Sequence, residues 1–264
     1  AKKHIVLQIS DLHFGAGGEN AHSFSTLRAA LSDLIRSCEE PPIIVTSGDI
    51  TYKARIEGYQ EAADFFERLR AETGLNRERF VFCPGNHDCH ADRRFGDYDA
   101  FVYRLRRDDA CGFSGNSYRT VDVDGLTFLL LNSAHHLDHG YGLVDVEALK
   151  TVALPDDRQR VLAITHHHLL PTEPSDISTT RNAYGLLTSL DDLRVRVLLH
   201  GHQHMSRGAR LGNTPVHVFG VNSFNFQMRG GLNAINVLAW ADSEISFARR
   251  IFVQDGLGAS SGRF

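Results

Sequence analysis

The sequence predicts an α/β fold. Short apolar runs of the kind that make buried strands alternate with segments of helical periodicity, and the later part of the chain turns to strands with few helices between them. Residues 5–9 form the first such run. Phe24, Leu27, Leu31, Leu34 and Ile35 then recur at helical spacing, which predicts a helix over 23–38 that Pro41-Pro42 ends. Residues 43–45 read as the second strand, and Tyr59, Ala63, Phe66 and Leu69 put an apolar stripe on a helix over 58–71. With residues 80–82 as the third strand, repeated strand–helix–strand units imply a largely parallel first sheet. The segment 89–117 is long and charged for a plain connection, with a helix near 98–107, and reads either as a lid or cap insertion or as a packed surface helix. Tyr118–Val123 and Leu126–Leu131 flank Asp124-Gly125, a hairpin signal. Residues 161–164 and 195–199 are further buried strands, with a helix over 184–190 between them, and 216–219, 234–240 and 245–252 add three more strands. Residues 1–255 read as one domain, and 256–264, rich in Gly and Ser, as a flexible tail or linker.

Composition narrows the function classes. At 264 residues the chain can bury a sizeable core, and its formal net charge of −4 gives no bulk attraction to nucleic acid or to an anionic membrane. Local basic clusters at Arg93-Arg94 and Arg104-Leu105-Arg106-Arg107 read first as a solvated helix face and second as a polyanion contact, so nucleic acid stays open as a partner. Cys38, Cys83, Cys89 and Cys111 lack metal-site spacing and are too few for a disulfide framework; Cys83 reads as a core residue and Cys89 as partly exposed. No apolar run is long enough to span a bilayer, and cytoplasm is the default location. The chain begins with Ala and its last residues look like linker, as expected of one domain of a longer protein or of a processed single-domain one.

The informative residues stand at the strand ends. Asp11-Leu12-His13, Gly48-Asp49, Gly85-Asn86-His87-Asp88, His166-His167-His168 and Gly201-His202-Gln203-His204 each follow an apolar run, at the carboxyl ends where open α/β sheets place their ligands. One such cluster alone is a turn or a helix cap. Together they would bury several ionisable groups, which destabilises a fold unless something compensates their charge, and a cation does so. Carboxylate and imidazole donors suit Mn, Fe, Zn, Ni or Co. His4 and His217, in or beside apolar strands, read instead as structural histidines, and the loop 132–142 carries His135, His136 and His139 near the same region.

These clusters, in this order, resemble the calcineurin-like metallophosphoesterase superfamily, and within it bacterial class III cyclic nucleotide phosphodiesterases. The resemblance covers residues 5 to 204 with every motif present. It implies a four-layer α/β/β/α sandwich of two mixed sheets with helices on the outside. It also implies a pair of metal ions, Mn or Fe first, that clamp an in-line phosphoryl displacement and lower the pKa of a shared water. By motif position Asp11, His13 and His204 would hold the first ion, Asn86, His166 and His202 the second, and Asp49 would bridge them. His167 is the alternative to His166 and is otherwise a substrate contact. His87 would protonate the leaving oxygen, with Asp88 orienting it. Asn86 and Asn182 would touch the phosphate, although Asn182 also reads as a helix cap. Tyr52 matches a tyrosine that purple acid phosphatases use as a ligand, but their first motif lacks a histidine equivalent to His13, so Tyr52 reads as packing. The implied activity is hydrolysis of a small or nucleotide phosphodiester. A nuclease or phosphomonoesterase on the same site, or a metal-stabilised binding module, are the alternatives.

Overall fold

Strands that are mostly apolar on both faces must be covered on both, and the first three are: β1 (His4–Ile9), β2 (Ile43–Ser47) and β3 (Phe80–Cys83) are buried at every position. They run parallel, β1 beside β2 beside β3, joined by α1 (Phe24–Ser37) and α2 (Ile56–Thr73). The computed structural model describes residues 3–211, 215–227, 231–241, 244–253 and 256–263. Both helices begin and end for local reasons. Ser23 Oγ accepts the Thr26 amide at 3.1 Å to open α1, and Gly74 closes α2 in the left-handed conformation at φ 71°.

Within the segment 89–117, α3 (Gly96–Arg106) packs on the core, while Cys89, His90 and Ala91 at the start of the segment line a cavity beside His87. Tyr98, Phe101, Val102 and Leu105 are buried, and the Tyr98 hydroxyl donates to Phe82 O at 2.9 Å. Arg106, expected on a solvated face, is also buried; its guanidinium donates to Phe80 O, Glu78 O and Asp108, so its charge and hydrogen-bond donors are compensated. After it come β4 (Tyr118–Val123) and β5 (Leu126–Leu131), paired antiparallel through Asp124 and Gly125, both at positive φ. Then follow α4 (Val146–Leu149), β6 (Val161–Thr165), α5 (Ala183–Asp192), β7 (Val197–His200), β8 (Gly208–Leu211) and β9 (Val216–Gly220). The chain ends with β10 (Ala234–Ala241), β11 (Glu244–Val253) and β12 (Gly256–Arg263).

Two mixed six-stranded sheets result, ordered β12-β11-β10-β1-β2-β3 and β4-β5-β6-β7-β9-β8. Strand alternation divides the side chains between two cores. Phe128 and Leu130 of β5 join Leu162, Ile164, Leu199 and the first sheet in a large core, whereas Leu129 and Leu131 face Leu149, Leu186 and Leu190 of α4 and α5 in a smaller one. The layers are therefore helix, sheet, sheet, helix, as the resemblance implied. The stretch from Gly256, read as a flexible tail, is instead an edge strand: 256–263 pair antiparallel with β11, because a backbone ladder needs no particular side chains. All four cysteines are free, and Cys89, expected to be partly exposed, is buried at 4 %. No helix among the described residues is long and apolar enough to cross a membrane.

The ring of Phe66 is 1 % exposed and meets Phe80, Phe82 and Phe101 edge-on. Phe66→Ala should lower the unfolding free energy by about 3–5 kcal/mol, read from urea denaturation. A loss under about 1 kcal/mol would mean that the helix layer packs loosely on the first sheet.

Candidate metal centre

Parallel strands deliver their carboxyl ends to one edge, and here both sheets present that edge to a common place. Backbone hydrogen bonds join the loops: the amides of Leu12 and His13 donate to Asp49 O, the Gly201 amide to His166 O, and the His202 amide to Asp11 Oδ2 at 3.0 Å. The approach is close enough that glycine is required. A Cβ on Gly48 would overlap the His166 ring, and one on Gly85 would overlap the Asp49 carboxylate. Asp11, His13, Asp49, His202 and His204 all have φ between 50° and 72°, a region that non-glycine residues seldom occupy.

The side chains gather in three overlapping groups that could each hold a cation: Asp11, His13 and His204; His13, Asp49 and His87; and Asp49, His166 and His202. In the first, His204 Nε2 lies 3.2 Å from Asp11 Oδ1 and 3.3 Å from His13 Nε2. In the third, His166 Nδ1 donates to Ser47 O at 2.8 Å, which turns Nε2 toward Asp49 Oδ2 at 3.3 Å and His202 Nδ1 at 3.1 Å. Ring nitrogens and carboxylate oxygens this close repel through their lone pairs unless a proton or a cation sits among them. Asp11 Oδ1 and Asn86 Oδ1 are buried without a hydrogen-bond partner, as oxygens reserved for a cation would be. The residues present therefore fit a metal.

The proton affinities agree. Burial, and then the charge of His166, lowers His202 to about 3, and burial lowers His13 to about 4 despite the nearby carboxylates; both are held in the neutral form that binds a cation. Burial would raise Asp11 and Asp49, yet neighbouring histidines hold both well below the ordinary carboxylate range. His166 goes the other way: burial opposes its charge, but Asp49 overcomes that and raises it to about 9. A proton on His166 supplies, in the metal-free cluster, the positive charge that Asp49 demands.

His87 borders this cluster and a cavity of about 510 Å³ that His139 of the 132–142 loop also lines. The Lys53 amide donates to His87 Nδ1 at 3.3 Å, so the neutral ring carries its proton on Nε2. Asp88 does not orient this ring, contrary to the expectation from its neighbouring position. Its carboxylate accepts the amides of Ile50, Thr51 and Gly85 at 2.9 to 3.1 Å, tying the second and third loops together. Burial and the charge of Asp49 raise it to about 7.

Two proposed substrate contacts are occupied elsewhere. Both ends of the Asn182 amide are taken by the Val144 backbone, so Asn182 neither caps α5 with its side chain nor is free for a phosphate. His167 is fully buried against Ser133, with its ring 4.4 Å from that of His202, and so supports the cluster without facing an opening. The sequence reading missed Asp176. Its carboxylate accepts His168 Nε2–H at 2.7 Å and the Thr172 and Ser178 amides, while the His168 ring stacks on His202 at 5.5 Å. Only the turn-forming string Asp176-Ile177-Ser178 hinted at it.

The calcineurin-like phosphoesterase profile matches residues 4–206, more than half of the chain and every loop just described. The chain belongs to the calcineurin-like phosphoesterase family. Its chemistry is thus hydrolysis of a phosphoric ester. Among curated relatives, this phosphoesterase is 29 % identical over 225 residues to a probable cyclic nucleotide phosphodiesterase of Rhodococcus erythropolis, spanning 82 % of this chain and 70 % of that one. It is 26 % identical over 213 residues to the glycerophosphodiester phosphodiesterase GpdQ of Enterobacter lignolyticus, spanning 76 % and 70 %. A dimetal phosphatase of Danio rerio shares the fold with a TM-score of 0.61 at 14 % identity, covering 98 % of each chain.

The triple histidine of this phosphoesterase sorts by geometry, since only His166 joins Asp49 and His202. His166→Ala should weaken Mn²⁺ affinity at one site by more than about tenfold, beyond what supporting residues usually give, with a smaller effect for His167→Ala. Titration calorimetry that ranks His167 above His166 would reverse the assignment.

Proposed function

We propose that the protein is a dinuclear metal-dependent phosphodiesterase acting on a small or nucleotide phosphodiester. The observation that carries this reading is the continuous row of three overlapping groups that could each hold a cation, sharing His13 and Asp49, with His87 as the third member of the middle one. Asp11, His13 and His204 would hold the first cation, Asn86, His166 and His202 would hold the second, and Asp49 lies where it would serve both. Oxygen and imidazole donors with no thiolate favour Mn or Fe, with Zn, Ni or Co as substitutes. When bound, two such cations supply charge to the phosphoryl oxygens and lower the pKa of a water between them.

The remaining work falls to the chain. Asp49 holds both sides of the reaction in register: Oδ2 faces His166, and Oδ1 accepts the His87 amide at 2.8 Å. His87, with its Nε2–H set by the Lys53 amide, donates a hydrogen bond to the departing oxygen and stabilises the charge that develops there as the P–O bond breaks. Both curated relatives are named for phosphodiester substrates, which supports a diester over a monoester. The test is turnover of bis-p-nitrophenyl phosphate with Mn²⁺, followed by a panel of cyclic nucleotides, glycerophosphodiesters, single-stranded DNA and RNA, and monoesters. Exclusive activity on monoesters would reject the proposal.

Asp49→Ala should bind fewer than two equivalents of Mn²⁺ by elemental analysis and lose most turnover, because the apposed histidines lose the charge that compensates them. Two retained equivalents would remove Asp49 from the bridge. His87→Ala should keep both equivalents yet lower turnover by roughly 10²–10⁴-fold, less for a diester with a very good leaving group. If metal content drops together with rate, His87 is a ligand and its role as hydrogen-bond donor to the departing oxygen is wrong.

A further inference from the structure

The ring of Tyr52 lies beside the cluster but belongs to none of the cation-binding groups. It is half-buried and nearly parallel to two other rings: His87, at 5.4 Å between centroids and 22°, and Phe226, at 6.4 Å and 20°. Phe226, also half-buried, leans on His13 at 4.8 Å and His204 at 5.4 Å. An aromatic wall therefore runs from His87 to the first cation group.

The wall is fixed in place from below. The Tyr52 amide donates to Phe14 O at 2.9 Å. The Phe226 amide donates to Ser223 Oγ at 2.7 Å, and the same hydroxyl donates to Asp11 O at 2.7 Å, so the loop carrying Phe226 hangs from the backbone of a first-group residue. Rings held this way lose little freedom when a flat ligand settles on them. Two exposed cations lie close to Tyr52, with Lys53 Nζ at 5.0 Å and the Arg55 guanidinium at 5.5 Å from its centroid, and their charge attracts an anion to the neighbourhood of the ring. Both rings keep part of their surface open to solvent, whereas Phe224, two residues before Phe226, is fully buried.

We propose that Tyr52 and Phe226 form a stacking platform for a planar heterocyclic base, so that the diester hydrolysed here carries a nucleobase rather than an aliphatic alcohol alone. This deepens the phosphodiesterase reading and rests on it for the position of the phosphate. The platform places the base beside His87, on the leaving-group side. Stacking tolerates any base, so the selectivity is for nucleotides as a class and not for one base.

The experiment compares two ligands that differ only by the base, AMP and ribose 5-phosphate, by titration calorimetry into the Mn²⁺-loaded protein. AMP should bind at least about tenfold more tightly, the fold-change that base–aromatic stacking gives. That ratio should fall below about threefold in Phe226→Leu and in Tyr52→Leu, and should persist in Phe226→Trp, which keeps an aromatic face. Should Phe226→Leu lose Mn²⁺ or its thermal transition, Tyr52→Leu with Phe226→Trp decides. Equal affinities in the wild type, or a preference that survives both leucine variants, would overturn the platform. Hydrolysis of the diester panel is measured in parallel. A base preference without hydrolysis of any diester sinks the phosphodiesterase reading and leaves the platform standing, and diester hydrolysis without a base preference does the reverse.

Discussion

Everything at the strand ends depends on the Asp49 carboxylate. It is buried, neighbouring histidines hold it well below the ordinary carboxylate range, and its two oxygens face different partners: Oδ1 accepts the His87 amide, and Oδ2 looks toward His166 and His13. A bare carboxylate in so dry a place is costly, and the fold meets that cost by crowding imidazoles around it, of which His166 is pushed toward its charged form while burial holds His13 and His202 neutral. Such a cluster is stable with a positive charge at its centre and poor without one. Binding of cations and integrity of the surrounding loops are for this reason one equilibrium.

The backbone carries part of the same burden. A row of ligand-type residues in left-handed conformations is unfavourable locally, and it persists because the loops are held by hydrogen bonds from several directions. Asp88 illustrates the division of labour. Placed next to His87 in the chain, it turns away and spends its oxygens on three amides, so that the third loop is locked to the second. His87 in turn is set by a backbone amide two residues beyond Thr51. The His87 ring and the amide that aims it come from different loops.

How much was legible in the sequence follows from what each feature requires. Asp11, His13, Asp49, His166, His202 and His204 were legible as a cluster because a site that could hold a cation needs particular side chains and because apolar strands bring them to one edge; the structure gathers all six. The helices 23–38 and 58–71 were legible from apolar spacing, and α1 and α2 agree within two residues at each end. Asp176 and Phe226 were not, since neither lies in a motif and each acts through three-dimensional proximity alone. Asn182 misled, because an asparagine before a helix looks the same whether it grips a ligand or a neighbouring strand's connection. The edge strands β8 and β12 were invisible for another reason: exposed or Gly-Ser-rich segments pair through backbone groups that every sequence has.

The order of strands in the first sheet has a kinetic consequence. β1 is made first, yet it is flanked by β2 on one side and by β10, more than two hundred residues later, on the other. Chain synthesis thus leaves one side of a fully buried strand unpaired until β10 has been made, and loop-closure entropy makes that pairing slow. Until it happens, the nascent chain exposes an apolar strand edge of the kind that recruits other chains. The segment beyond residue 206 is outside the matched family region, but it closes the sheet, and a fragment cut there would keep every histidine of the centre while leaving β1 open to aggregation.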